Sequence, residues 1–282
     1  MSVSLQHRAF DATLRAIRFR HRYWARFDGV RVPKRAMPNA LHKLGRKIEV
    51  RDHDGFPVVE LHPKHRRAKE RIVALHGGGY VAEASPLHFT AYCKLADLTG
   101  MSVVAPLYPL APFHSAERIR EWTLGFLDTL DGPLRLTGDS AGGNLALQMT
   151  ASGVTVERMA LWSPWLDVGS GNPAILARDG ACALLPAEGM SEFGAIYYDD
   201  ADPTDPLLSP VFRDREDLPP TLVISGEQDL LHPDIETWSA KRAGQGAPLE
   251  LHSEPGVWHD YMLLPTPEAK RALAMTAEFL SA

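Results

Sequence analysis

The sequence predicts an α/β fold: a mostly parallel sheet of eight strands, flanked by helices and carrying a small helical cap. Short apolar runs without polar alternation, such as 72–75 and 221–225, are typical of strands buried on both faces of a parallel sheet. From Arg71 onward these runs alternate with stretches of helical periodicity. Residues 170–212 break this alternation, since they are rich in Pro, Gly, Asp and aromatic residues and contain no clear strand.

The individual elements follow in chain order. The β-like runs 47–51 and 56–61, joined by a turn at 52–55, predict a hairpin. The remaining strands are expected at 72–75, 101–107, 134–137, 159–162, 221–225 and 249–252. Helices are expected at 87–98, 115–130, 144–151, 235–243 and 267–280. Ser115 is a candidate N-cap.

These elements divide the chain into a core, at 46–169 and 213–282, and two cap parts, at 1–45 and 170–212. A long insertion between core strands is usually functional when it is ordered. In the N-terminal part, Leu5, Phe10 and Leu14 recur at helical spacing beside many arginines, from Arg8 to Arg26. A helix packed on the same protein is favoured, and a membrane-bound or transit helix is the alternative.

Composition excludes several classes of protein. A net charge of −5 over 282 residues gives no reason to expect nucleic acid as a partner. No apolar run approaches the roughly 20 residues that cross a bilayer, and residues 1–28 lack the apolar core of a signal peptide, so stable membrane insertion is not expected. With only Cys93 and Cys182, a reduced, cytoplasmic protein is expected.

The most informative motif is G-D-S-A-G-G at 138–143, between a predicted strand and a predicted helix. A serine in the pattern G-x-S-x-G sits on a strained strand-to-helix turn, with its hydroxyl exposed at the end of the sheet. The motif therefore predicts that Ser140 is a nucleophile.

A serine nucleophile needs a histidine base and an acid that orients it, here expected in the order Ser, acid, His. Asp229 follows the strand predicted at 221–225, and His259 follows the last strand in Gly-Val-Trp-His. Position favours these two, although other residues remain rivals. For the acid these are Glu227 and Asp234, and for the base His232 and His252. Asp260 is not expected to reach the ring of its neighbour His259 in the geometry that an orienting acid needs.

A second motif, His-Gly-Gly-Gly at 76–79, follows the strand predicted at 72–75. Attack on an ester carbonyl creates an oxyanion that fixed N–H donors must stabilise, and glycines let bare backbone amides approach it. The N–H groups of Gly78, Gly79 and Ala141 are the candidate donors. A glycine turn without a role is the alternative. Because the sequence contains no dinucleotide fingerprint, P-loop or paired-histidine zinc helix, no cofactor and no metal are expected.

Together these motifs resemble the hormone-sensitive-lipase-like esterases of the α/β-hydrolases. The resemblance runs from about Arg71 to the C-terminus and also includes S-P-W-L-D at 163–167, D-P-L-L-S-P at 205–210 and G-E-Q-D at 226–229. It implies an α/β-hydrolase fold, ester hydrolysis through an acyl-serine, the triad Ser140, Asp229 and His259, and a cap over the site. The chain departs from the family where Pro109 and Phe113 replace two charged residues.

We therefore expect a serine carboxylesterase for small to medium acyl esters. An amidase, lactonase or deacetylase using the same triad is an alternative, as is a non-catalytic small-molecule receptor. Dimers are frequent in the family, so a homodimer is a further alternative. The apolar cap suggests an uncharged acyl group, with side chains that are candidates either for pocket walls or for plain core: Tyr80, Trp162, Trp165, Phe193 and Tyr197.

Overall fold

The computed structural model of the protein describes residues 3–24, 37–65, 67–215 and 217–282. The described residues form one sheet of eight strands in the order β1-β2-β4-β3-β5-β6-β7-β8. These strands are β1 (Ile48–His53), β2 (Phe56–Leu61), β3 (Arg71–Leu75), β4 (Ser102–Pro106), β5 (Leu134–Asp139), β6 (Val156–Trp162), β7 (Thr221–Gly226) and β8 (Leu249–Glu254). The predicted mostly parallel α/β sheet is confirmed.

The sheet is antiparallel at one edge only. β1 pairs with β2 as the predicted hairpin, and β2 pairs with β4 antiparallel, with Val58 opposite Pro106. From β4 to β8 the pairing is parallel. Because parallel strands end together, the loops after β3, β5, β7 and β8 gather at one edge of the sheet.

Helices follow most of the strands. They are α1 (Leu5–Ala16), α2 (Phe19–Trp24), α3 (Ala40–Lys43), α4 (Pro86–Thr99), α5 (Ala116–Asp128), α6 (Ala141–Ala151), α7 (Pro173–Ala177), α8 (Ala187–Tyr198), α9 (His232–Gly244) and α10 (Pro267–Ser281). Ser115 caps α5 as predicted, since its hydroxyl accepts a hydrogen bond from the Arg118 N–H at 3.2 Å. Within the described ranges, no helix has both the length and the apolar character needed to span a bilayer.

Two apolar layers enclose the sheet. On one face, side chains of α5, α6 and α9, such as Trp122, Leu145 and Trp238, join the larger cluster. On the other face, α4 and α10 contribute Phe89 and Leu273 to a second cluster. Burial on both faces explains why the core strands read as continuous apolar runs.

The two predicted cap parts lie against each other. Arg15 of α1 donates hydrogen bonds to the carbonyls of Gly180 and Ala181, at 2.8 and 2.7 Å. The Ser4 N–H, one residue before α1, donates to Glu268 of α10 at 2.6 Å. The helix α1 therefore packs on the same protein. Residues 25–36 of the predicted N-terminal part, including Arg26, lie outside the described residues.

Candidate active site

Ser140 occupies the turn between β5 and α6. Its backbone has φ 51° and ψ −117°, a conformation that an L-residue seldom adopts and that costs about 1–3 kcal/mol. The turn also requires a glycine two residues later, because a Cβ on Gly142 would lie 2.0 Å from the Leu75 carbonyl oxygen. The bare glycine thus lets α6 start directly against β3 and aim its first N–H groups toward Ser140.

Asp229 and His259 meet although 30 positions separate them in the sequence. The His259 Nδ1 lies 3.0 Å from Oδ1 and 2.9 Å from Oδ2 of Asp229. Asp229 is fully buried and His259 is 2% exposed. A buried carboxylate at Nδ1 fixes the orientation of the ring and, in the neutral imidazole, the tautomer whose Nε2 carries no proton.

The other ring nitrogen of His259 does not contact the serine. Its Nε2 lies 3.1 Å from Oδ2 of Asp260. Among the described residues, no hydrogen bond joins this nitrogen to the Ser140 hydroxyl. Asp260 was not expected to reach the ring in the geometry that an orienting acid needs, and its carboxylate lies at Nε2 rather than at Nδ1. The left-handed backbone of Asp260, with φ 52°, turns the carboxylate onto that nitrogen. Asp260 does not replace Asp229, which holds Nδ1.

The paired carboxylates set the protonation of His259. Burial alone would lower the pKa of His259, but the charges of Asp229 and Asp260, and the hydrogen bonds to them, hold it well above its usual value. Burial raises the pKa of Asp260 to about 6, against the opposing charge of His259. The two carboxylates therefore favour the imidazolium form of His259.

The glycine motif at 76–79 forms the turn after β3. Gly78 has φ 120°, and a Cβ there would lie 2.5 Å from the Ala82 carbonyl oxygen. The N–H groups of Gly78 and Gly79 donate to no protein acceptor within the described residues, and both glycines line the same cavity as Ser140. They are therefore available to a bound oxyanion.

Sequence reasoning missed a pair that connects the two motifs. Oδ2 of Asp139, the residue before Ser140, accepts hydrogen bonds from the Gly77 N–H at 2.8 Å and from His88 Nε2 at 2.9 Å. Burial alone would lower the pKa of His88, but the charge and hydrogen bond of Asp139 and the charge of Asp260 raise it. The position of Asp139 within the G-D-S-A-G motif could have indicated a role for it, whereas nothing in the sequence indicated one for His88.

The site opens into a cavity of about 330 Å³. Its polar lining includes Ser140, Asp139, His88, His259 and Asp260. Both predicted cap parts contribute to its apolar walls, beside core residues such as Leu87 and Trp258. The cap residues are Phe10, Leu14 and Phe19 from the N-terminal helices, and Leu184, Leu185 and Phe193 from the insertion.

Of the five side chains considered as pocket walls, Phe193 lines this cavity. The other four are absent from its lining and lie in the packed interior, the second of the two placements considered for them. Tyr80 stacks on Tyr197 with ring centroids 3.7 Å apart. Trp162 donates to Thr276 of α10 at 3.0 Å, and Trp165 donates to Ser170 at 3.4 Å. Their indole and phenol groups find buried polar partners, which is why large aromatic side chains can be core rather than pocket.

The rival residues have other partners. The His232 ring contacts the Ser225 hydroxyl at 3.1 Å, and the His252 ring contacts Glu254 at 3.1 Å. Asp234 accepts a hydrogen bond from Asn172 at 2.5 Å. The side chain of Glu227 is absent from the cavity lining.

Residues 72–263 match a protein family described as alpha/beta hydrolase fold. This chain belongs to the α/β-hydrolase family. Among its relatives is a triacylglycerol lipase of Mycobacterium tuberculosis, 32% identical over 232 residues, which are 78% of this chain and 48% of the relative. The chain thus spans about half the length of that lipase. An esterase of Acinetobacter venetianus is 30% identical over 227 residues, which are 75% of each chain.

The fold is shared with a solved structure over the whole chain. An esterase from the bacterial hormone-sensitive lipase family superposes with a TM-score of 0.81 at 23% identity, covering 100% of this chain and 99% of that one. The expected likeness to hormone-sensitive-lipase-like esterases is confirmed by these relatives together.

Proposed function

We propose that the protein is a serine carboxylesterase that hydrolyses uncharged, small to medium acyl esters through an acyl-serine intermediate. One observation carries the proposal. A strained Ser140, the His259 imidazole and the bare amides of Gly78 and Gly79 border a single cavity, and Asp229 is buried next to that imidazole at Nδ1. The names of the relatives, a lipase and an esterase, support the same reaction class.

In the proposed mechanism, the Ser140 oxygen attacks the ester carbonyl while its proton passes to Nε2 of His259. Asp229 keeps the imidazole oriented through Nδ1 and stabilises the imidazolium. The N–H groups of Gly78, Gly79 and Ala141 bind the oxyanion. His259 then protonates the departing alcohol, and a water molecule repeats the attack on the acyl-serine to release the acid.

We also propose that residues 1–45 and 170–212 form the cap of this site. The support is that Phe10 and Leu14, together with Leu184, Leu185 and Phe193, line the cavity that Ser140 enters. Apolar walls favour an uncharged acyl chain, since each buried methylene contributes about 0.8 kcal/mol to binding.

The cytoplasmic location is proposed on the thiols. Cys93 and Cys182 are both buried and free, as in proteins of reducing compartments. The homodimer stays a prediction, for which sedimentation of the purified protein is the direct test.

Replacing the nucleophile tests the function. Ser140→Ala removes the attacking oxygen, so p-nitrophenyl acetate hydrolysis and covalent labelling by an organophosphate should both disappear. Ser239→Ala is the matched control, because Ser239 is a buried serine of α9 outside the cavity lining. This control should label and turn over like the wild type. Labelling that persists in Ser140→Ala would place the nucleophile elsewhere.

A further inference from the structure

Asp260 contacts Nε2 of His259, the nitrogen that the proposed esterase reaction needs. Its Oδ2 lies 3.1 Å from His259 Nε2, the atom that must accept the Ser140 proton. A nitrogen that carries a proton shared with a carboxylate has no free lone pair. Asp260 and Ser140 therefore compete for the same atom.

The contact is held by the fold around it. Asp260 is 8% exposed and begins the buried 3₁₀ turn Tyr261–Leu263, with the Leu263 N–H donating to its carbonyl at 3.0 Å. Its own N–H donates to the Ser163 hydroxyl at 3.4 Å. With its backbone fixed on both sides in the left-handed region, the side chain is directed at the imidazole rather than at solvent.

The carboxylate of Asp260 is only partly hydrogen-bonded among the described residues. Its Oδ1 is buried without a hydrogen-bond partner among the described residues, so only one oxygen is committed to His259. Burial of an under-paired carboxylate favours its neutral form. Asp260 is thus able to take up a proton at a pH where ordinary carboxylates stay ionised.

Other titratable groups of neighbouring elements face this pair, among them the Cys182 thiol of the insertion, which interacts with Asp229 and His259. Asp139 at the end of β5 repels the Asp260 charge, and Asp229 after β7 adds to that repulsion. On α4, His88 and Tyr92 both interact with Asp260. His88 offsets part of the negative charge, since its ring is paired with Asp139. The net environment of His259 remains negative.

We propose that Asp260 is a positioning residue that holds His259 in a resting, doubly paired state, from which Nε2 must be released before it can take the Ser140 proton. In the resting state one proton on Nε2 is shared with Oδ2 of Asp260. Release transfers that proton to solvent or to Asp260, and the ring or the carboxylate then turns so that the Nε2 lone pair faces Ser140. The inference rests on the proposed esterase function for its catalytic consequence.

Asp260→Asn tests the proposal with nearly the same shape and a residue type that tolerates the left-handed conformation. Without the second carboxylate, the pKa of His259 should fall. The acid limb of organophosphate labelling against pH should then move about one pH unit lower. At a pH below both limbs, labelling should be roughly tenfold faster than in the wild type. The alkaline plateau should not rise, since a weaker base accepts the Ser140 proton less readily.

Asp234→Asn is the matched control. Asp234 is another buried aspartate whose pKa burial raises to about 6, but it pairs with Asn172 and does not face His259. Its labelling profile should superimpose on that of the wild type. Asp260→Gly, which also suits the left-handed backbone, should shift the limb in the same direction as Asp260→Asn and serves if the asparagine variant does not fold.

A titration by ¹⁵N NMR of labelled histidine measures the contact without reference to catalysis. The His259 signal, identified by its loss in His259→Gln, should titrate lower in Asp260→Asn than in the wild type. Equal His259 titrations, or labelling limbs that coincide in the wild type and both Asp260 variants, would overturn the inference. A wild-type protein that is not labelled at any pH would instead overturn the proposed function, whatever the NMR titration gives.

Discussion

At the residue scale, the site depends on a backbone conformation at Ser140 that a serine residue rarely adopts. Ser140 adopts φ 51°, and the surrounding structure must offset about 1–3 kcal/mol of strain. The Ser140 N–H donates to the Trp162 carbonyl at 2.9 Å, and the Ser140 carbonyl accepts from the Trp165 N–H at 3.0 Å. These bonds join the turn at Ser140 to the end of β6. The sheet, rather than the local loop alone, therefore holds the proposed nucleophile in place.

Replacing Asp229, the proposed orienting acid, tests its role. In Asp229→Asn, the amide no longer stabilises the imidazolium and favours the wrong tautomer of His259. We expect kcat for p-nitrophenyl acetate to fall by a factor on the order of 10³–10⁴. Steady-state kinetics measure the loss.

Glu227→Gln serves as its control, since among the described residues no hydrogen bond or ion pair joins the Glu227 side chain to His259, and its carbonyl oxygen accepts from Arg178 at 2.8 Å. It should retain near wild-type kcat. A larger loss in Glu227→Gln than in Asp229→Asn would reverse the assignment of the acid.

The sequence predicted the residues of this site better than their contacts. Ser140, Asp229 and His259 were marked by motif and by order along the chain. The contact of Asp260 with Nε2 depends on one left-handed residue, and the role of His88 depends on the packing of α4 against β5. Neither a local conformation of this kind nor a contact between residues 51 positions apart has a signature in sequence spacing.

At the element scale, the apolar side of the N-terminal helix α1 is divided between the cavity and the protein surface. The spacing of Leu5, Phe10 and Leu14 predicted a helix, and α1 spans Leu5–Ala16. Only the structure divides that side: Phe10 and Leu14 line the cavity, whereas Leu5 is 75% exposed. Helical periodicity gives the apolar face of a helix but not the surface it covers.

Because Phe10 lines the cavity, we expect it to affect the preference for the length of the acyl chain. Phe10→Ala removes apolar wall from the cavity, so longer acyl chains lose more contact than acetate does. The ratio of kcat/KM for p-nitrophenyl hexanoate to that for acetate should fall about fourfold, the equivalent of one buried methylene. A series of p-nitrophenyl esters from acetate to hexanoate measures the ratio.

Leu5→Ala, on the exposed part of the same helix, should leave that ratio unchanged. An equal fall in both variants would mean that α1 acts through overall stability and not as a wall of the pocket. Melting temperatures of both proteins distinguish these readings.

At the scale of the whole molecule, one buried ion pair connects the layers around the sheet. His88 of α4 and Asp139 of β5 come within 2.9 Å, both almost fully buried. The pKa of His88 is raised and that of Asp139 is lowered, so each group favours its charged form in the folded protein. Through Gly77, the same pair also anchors the turn that carries the candidate oxyanion donors.

These shifts set a pH window for stability. A raised histidine pKa stabilises the folded state fully below about 6.5, and the effect is lost as pH rises through the folded pKa. A lowered aspartate pKa stabilises above about 3.9 and is lost as pH falls through the folded value. His88→Gln should therefore cost most near pH 5–6, about 3 kcal/mol in the free energy of unfolding, and less at alkaline pH. Urea unfolding from pH 4 to 9 measures this.

His42→Gln should show the opposite trend. The pKa of His42 is lowered by burial, and its ring contacts the Thr90 hydroxyl at 3.0 Å rather than a carboxylate. Its contribution is largest above pH 6.5 and declines toward acid. Parallel pH trends in the two variants would contradict the role given to the His88–Asp139 pair.

The sequence by itself determined the class of sheet and predicted the three residues of the proposed triad. Apolar runs, glycine turns and the order of motifs are local properties, and strands of one parallel sheet must end at the same edge. Only the tertiary structure decided which aromatic side chains are core, which cap residues enter the cavity, and that Asp260 holds the nitrogen of His259. These facts depend on side-chain direction and burial between distant segments, and those are fixed by packing rather than by neighbours in the chain.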